Sequence, residues 1–140
     1  MSDIKIFNDH QTHRIHRKSM IGLIRNVLQE EKVQARELSI VFVDNKYIKK
    51  LNKRYLNHNA LTDVMAFRLG GTQQIEGEVY VNLDRAKSQA KDYGVSFANE
   101  VGRLVVHGIL HLVGYEDRTQ AQRRSMKKKE DRYLQQLRSI

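Results

Sequence analysis

Apolar positions along the chain fall into blocks whose spacing changes from one block to the next. Ile4, Ile6 and Phe7 make a short run closed by Asn8-Asp9, which predicts a first strand. Met20, Ile21, Ile24, Val27 and Leu28 then recur at helical spacing with charges opposite, predicting an amphipathic helix. Leu38 to Val43 is nearly continuous and β-branched, the pattern of a strand buried on both faces. Tyr47, Ile48, Leu51 and Tyr55 line one side of a short helix whose other side carries Lys49, Lys50, Lys53 and Arg54. Two further strands are expected at Val64–Phe67 and Ile75–Val81, around a turn holding Gly70-Gly71. In the second, Ile75, Gly77, Val79 and Val81 alternate with Glu76, Glu78, Tyr80 and Asn82. A helix from Asp84 to Tyr93 stops at Gly94, and Ser96 caps the next. That helix turns apolar all round from Leu104 to Val113, as a buried helix does. Thr119 and Gln122 form a capping box for a last helix with apolar positions Met126, Tyr133, Leu134 and Leu137.

The order β-α-β-α-β-β-α-α-α, with strands early and helices late, points to an α+β domain with a small mixed β-sheet. At 140 residues, without repeat, linker or proline, one domain spanning 1–140 is expected. With no cysteine, disulfides and thiolate metal sites are excluded, so any metal must be held by His, Asp or Glu. No apolar run is long enough to cross a membrane and no signal-peptide pattern appears, so a cytoplasmic protein is expected. Lysine and arginine outnumber acids 25 to 16, for a net charge of +9. From Arg118 onward, eight basic residues face only Glu130 and Asp131. Such an excess suits a polyanionic partner, nucleic acid above all, or simply a solvated basic helix.

The chemistry concentrates in residues 107–117, whose spacing is H-x-x-x-H-x-x-G-x-x-D. Four residues apart on a helix, His107 and His111 share a face and can grip one ion. A helix cannot carry a third ligand round to that ion, so the chain must turn back, and Gly114 can adopt the left-handed backbone that allows it. Asp117 then arrives as third ligand, with Glu116 as a competitor. Two imidazoles and a carboxylate leave a coordination position open, as catalytic zinc sites do. The alternative is a pair of core histidines bonded to backbone carbonyls, but burial among Leu104, Val105, Ile109, Leu110 and Leu112 is costly unless both rings find partners. Zinc fits the donor set; another divalent ion such as iron or manganese fits it too.

In H-E-x-x-H peptidases the glutamate after the first histidine is the general base. Here that position is Gly108, which leaves no base of that kind to name and argues against a metallopeptidase. Gly108 either opens space beside the metal for a bulky substrate or lets the helix pack closely on the sheet. Glu100, two turns before His107, either orients a ligand from behind or is a charge favoured by the helix dipole. His10, His13 and His16, spaced by three among polar neighbours, read as solvated, as does His58 in Asn57-His58-Asn59.

His107 to Asp117 resembles the H-G-x-L-H-L-x-G-Y-D-H signature of the YbeY family, bacterial endoribonucleases of ribosomal RNA maturation. Leu51-Asn52 to Tyr55 with Thr62-Asp63-Val64-Met65-Ala66-Phe67 is similar to the family's Leu-Asn-x-x-Tyr-Arg and Thr-Asp-Val-Leu-Ser-Phe blocks. Gly77-Glu78-Val79-Tyr80-Val81 is similar to its Gly-Asp-Ile-x-Ile strand. The resemblance covers nearly the whole chain, and implies a zinc hydrolase of single-stranded RNA with a metalloprotease-like metal-binding helix. Two positions depart from the pattern. The family's third histidine falls on Asp117, a chemically mild change that lowers the site's positive charge. The arginine after its tyrosine, which the resemblance implies contacts RNA phosphate, falls on Leu56; Arg54, Arg68 and Arg103 are possible substitutes.

The sequence thus leads to a metal-dependent endoribonuclease acting on RNA, ribosomal RNA or the ribosome being the expected partner. His107, His111 and Asp117 would hold the ion. Arg123, Arg124, Lys127, Lys128 and Lys129, with Arg54, are candidates to guide the phosphate backbone. The rival is a non-catalytic, zinc-stabilised factor of ribosome assembly.

Overall fold

The computed structural model describes residues 2–56, 62–71 and 73–135. The nine expected elements are present as four strands, β1 (Ile4–Asn8), β2 (Gln34–Val43), β3 (Val64–Gly70) and β4 (Gln74–Asn82), and five α-helices: α1 (Arg17–Glu30), α2 (Asn45–Leu51), α3 (Leu83–Tyr93), α4 (Phe97–Val113) and α5 (Gln120–Leu134). The sheet order is β1-β2-β4-β3. β1, β2 and β4 run parallel and β3 pairs antiparallel to β4 at the edge, so the sheet is mixed, as the element order requires.

Strand alternation divides the apolar residues between two faces. Ile6, Leu38, Ile40, Phe42, Ile75, Val79 and Val81 point to the main core, which α1, α3 and α4 complete. Val41, Val43 and Met65 point the other way and are covered by Ile48 and Leu51 of α2. β2, in the interior of the sheet with apolar residues on both faces, has the continuous pattern expected of it. α5 packs across α4 and α1 with Met126, Tyr133 and Leu134 buried. Among the described residues no helix is long and apolar enough to span a membrane.

Two details differ from the sequence reading. α2 is shorter than the stripe Tyr47 to Tyr55 suggested: it passes at Asn52 into a π-helical turn, Asn52–Leu56. Tyr47 and Tyr55 stay largely in solvent while Ile48 and Leu51 are buried, so the stripe is not one buried side. Leu137 and His58 lie outside the described residues.

α4 is the element that positions the site. Ser96 caps it, with its hydroxyl accepting from the amide of Asn99. It lies against β3 and β4 on one side and against α3, α5 and α1 on the others. At Gly108 the helix comes close to the sheet. A Cβ built there would stand 2.4 Å from Val79 Cγ1 and 3.3 Å from Val64 Cγ2. The glycine is therefore a packing requirement of helix on sheet. The reading in which it opens space for substrate is overturned, because Val79 and Val64 fill that side.

Candidate metal centre

α4 ends where Gly114 takes a left-handed conformation, φ 117°, and the amides of Gly114 and Tyr115 bond back to Leu110 and His111 carbonyls. The chain reverses, and Asp117 returns to the helix it has just left. The capping box then fixes the segment: the Gln122 side chain accepts from the amides of Arg118 and Thr119, and Thr119 Oγ1 accepts from the amide of Gln122. Arg123 reinforces it by donating to the Arg118 carbonyl at 2.9 Å.

His107 Nε2 and His111 Nε2 stand 3.0 Å apart, and Asp117 Oδ2 lies 3.4 Å from each. Around a tetrahedral ion with bonds of about 2.0–2.1 Å, neighbouring donors stand roughly 3.3–3.4 Å apart. The three atoms therefore fit a single divalent ion, and they form one of two groups among the described residues that could hold one. Of the two carboxylates in competition, Asp117 joins the histidines and Glu116 is exposed. The side chains remain 23 %, 31 % and 37 % exposed for His107, His111 and Asp117, so the cluster opens to solvent, unlike a closed structural site.

Behind His107 stands a residue the sequence reading did not single out. Glu130 of α5 accepts from His107 Nδ1 at 2.7 Å and from Arg103 Nη1 at 2.9 Å, and is 6 % exposed. The carboxylate places the imidazole proton on Nδ1 and leaves the Nε2 lone pair facing the cluster. Burial pushes the His107 pKa down, but the Glu130 hydrogen bond and charge, with Asp117 and Asp63, outweigh it, and the net shift is upward. A signal for Glu130 was present: a carboxylate at the middle of the stripe Met126, Tyr133, Leu134 must be buried with a partner.

Arg103 also reaches Asp131 at 2.8 Å, so it is held by acids. Glu100, 1 % exposed, accepts from Gln89 at 2.8 Å. Among the described residues it makes no hydrogen bond to His107, and, buried, it is no solvated dipole charge either. Burial, with Asp63 and Glu130 nearby, pushes its carboxyl above the usual carboxylate range. Arg68 donates to the backbone carbonyls of Leu112, Gly70 and Gly71 and is a strut across the end of α4. Neither Arg68 nor Arg103 is thus free to replace the arginine that Leu56 displaces. Arg54 is exposed, its guanidinium 5.4 Å from the centre of the Tyr55 ring.

The basic helix divides in two. Arg123, Arg124, Lys127 and Lys128 are exposed. Lys129 instead bonds Glu31 at 2.9 Å beneath the Tyr115 ring, which ties α5 to the end of α1 and removes it from the candidate RNA surface.

His10 and His13 are the other correction. They are half-buried, and with Asp84 they form the second group that could hold an ion. His10 Nε2 meets Asp84 at 2.8 Å while its Nδ1 accepts from the amides of Thr12 and His13, so both ring nitrogens already have partners. Asp84 in turn accepts from the amide of Asn45. This is a clip that ties the segment after β1 to the start of α3. His16 is exposed, as expected, and caps α1 through Ser19.

A family model described as Endoribonuclease YbeY matches residues 5–138. A protein named Endoribonuclease YbeY from Chloroherpeton thalassium is 43 % identical over 114 residues, 81 % of each chain. One of the same name from Salinibacter ruber is 37 % identical and covers 94 % of this chain and 89 % of its own. The solution structure of TM1509 from Thermotoga maritima matches with a TM-score of 0.68 over 96 % of this chain and 88 % of that one; at 24 % identity this is a likeness of fold.

Proposed function

The chain belongs to the Endoribonuclease YbeY family, and from that membership we propose that it is a metal-dependent endoribonuclease, cutting single-stranded RNA in ribosomal RNA maturation. The observation that carries this reading is the convergence of His107 Nε2, His111 Nε2 and Asp117 Oδ2, with the Glu130 carboxylate behind the first of them. These three residues would hold one ion, zinc by the nitrogen-rich donor set and tetrahedral spacing. The chemistry such an ion supplies when bound is Lewis-acid polarisation of a phosphoryl oxygen and a lowered pKa for coordinated water.

The protein's own residues do the rest. Glu130 keeps the proton on His107 Nδ1, and Arg103 holds Glu130 in place. Asp117 contributes a negative charge where the family pattern has a neutral imidazole, so the centre is less positive and the surrounding cations matter more for a polyanionic substrate. Arg123 and Lys127 flank the cluster, and Arg124, Lys128 and Arg54 are exposed cations that would track the phosphate backbone. Gly108 offers no carboxylate base of the peptidase kind, and its surroundings are filled by valines.

The test is cleavage of a single-stranded ribosomal RNA fragment by purified, metal-analysed protein, beside His107→Ala and Asp117→Ala. One ion per chain with cleavage lost in both variants is the expected result. One observation favours a second reading: Leu56 stands where the family pattern has an arginine. A non-catalytic RNA- or ribosome-binding factor predicts bound metal without cleavage of any RNA, and that result would replace the nuclease reading.

A further inference from the structure

A cavity of about 550 Å³ opens directly beside the ligand cluster, with His107 and Asp117 in its wall. Its volume lies within the roughly 300–1,000 Å³ of sites that take small molecules or parts of larger ones. Tyr93, the last residue of α3, and Val95, in the turn before α4, stand on one side and Met126 of α5 on another. Tyr93 is 64 % exposed, an aromatic ring presented to solvent at the mouth of a cavity. Of the three cations in the wall, Arg103 is paired with Glu130 and Asp131, whereas among the described residues Lys127 makes no ion pair and Arg123 bonds only backbone carbonyls.

One buried group in the same wall has bonding capacity left over. Glu100 is 1 % exposed, yet its Oε1 has no hydrogen-bond partner, the nearest cation, Arg103 Nε, being 3.7 Å away. A buried carboxylate oxygen without a donor is costly. It points to an occupant of the cavity that carries N–H groups.

An occupant that suits these walls is flat and aromatic, bears N–H donors on its edge, and is joined to an anionic backbone. We propose that this cavity is a nucleobase pocket, which takes a base of single-stranded RNA beside the ion site that His107, His111 and Asp117 would form for the phosphodiester, with Tyr93 as its stacking surface and Lys127 on the flanking phosphate. Unpaired bases stacked on aromatic side chains are the usual means by which single-stranded RNA is held. The pocket explains how a chain with Leu56 in place of the pattern's arginine would still register its substrate. It rests on the RNA substrate proposed above, but binding and cleavage can be read separately.

The experiment is equilibrium binding to the full, metal-loaded chain on ice, by fluorescence anisotropy, with strand integrity checked on a gel. Two labelled probes of equal length are compared, a single-stranded oligoribonucleotide and the same strand with abasic riboses throughout. The wild type is expected to prefer the base-bearing strand by about 5- to 150-fold, the range of one lost stacking contact. Tyr93→Ala, at an exposed position, is expected to bring the two strands together, whereas Lys127→Ala weakens both alike. Tyr47→Ala, an exposed tyrosine on the opposite face of the sheet, is expected to leave the preference as it was. Equal affinity of the wild type for both strands, or a preference that survives Tyr93→Ala, would overturn the pocket. Discrimination by a protein that cuts no RNA would keep the pocket and remove the nuclease reading.

Discussion

Replacing Gly108 by alanine sets two effects of opposite sign against each other, and the structure says which wins. Alanine is favoured over glycine in a helix interior by about 0.8–1 kcal/mol, so on backbone grounds alone the variant would be more stable. The added Cβ, however, would stand 2.4 Å from Val79 Cγ1 and 3.2 Å from its Cγ2. Carbon atoms rest at about 3.5–4.0 Å, so the intrusion exceeds 1 Å. Val79 cannot easily yield: it is fully buried on β4 and β-branched, hence stiff at χ1. Overpacking of a tight core costs about 1–3 kcal/mol, and an intrusion this deep belongs in the upper half of that range. After the propensity gain is subtracted, Gly108→Ala should destabilise by about 1–2 kcal/mol, a fall in Tm of roughly 3–8 °C for a chain of this length. The assay is thermal and urea unfolding of metal-free protein, which keeps metal binding out of the comparison. Val79→Ala alone should also destabilise, by opening a cavity. In Gly108→Ala/Val79→Ala the new methyl enters the space vacated, so the double variant should be more stable than the sum of the two losses by about 0.5–3 kcal/mol. A rise in Tm for Gly108→Ala, or strict additivity in the double variant, would refute the packing argument.

Three other perturbations separate the roles of neighbouring residues. Glu130→Gln keeps the volume but weakens the acceptor for His107 Nδ1, and should lower metal affinity about 10- to 100-fold in competition with a chelating dye, with unchanged far-UV circular dichroism; equal affinity would show that Glu130 merely packs. Glu31 is pushed up by burial, but the hydroxyls of Tyr115 and Tyr133 and the Lys129 ammonium hold its carboxyl below the usual range. Its stabilisation is therefore complete above the unfolded value of about 4.3 and is lost as pH falls through the lower folded value, so urea midpoints of wild type and Glu31→Gln should differ at pH 7 and converge on acidification. On α5, Lys128→Ala should reduce the salt slope of RNA binding by about 1, whereas Lys129→Ala should leave the slope alone and lower stability through Glu31; the reverse pattern would reassign the two lysines.

That His107, His111 and Asp117 come together was legible in the sequence because the cluster is local. His107, His111 and Asp117 fall within eleven residues, and helical periodicity together with one left-handed residue, Gly114, suffices to bring them together. The same holds for the helix caps at Ser96 and Thr119 and for the alternation of β4, each of which depends on residues a few positions apart. The type of each element and the α+β class follow from periods of 2 and 3.6, which any reader of the chain can count.

What tertiary structure alone decided lies at long separation. Glu130 reaches His107 across 23 residues and the α4–α5 interface, and His10 reaches Asp84 across 74. Lys129 looked like its neighbours on a basic helix until Glu31, just past the end of α1, became its partner. Gly108 allowed two readings in the sequence, and only the position of Val79 chose between them. The reason is physical: spacing along one helix sets which residues share a face, but what that face meets depends on how separate elements pack. That packing minimises the energy of the whole core, and no short stretch of sequence contains both partners.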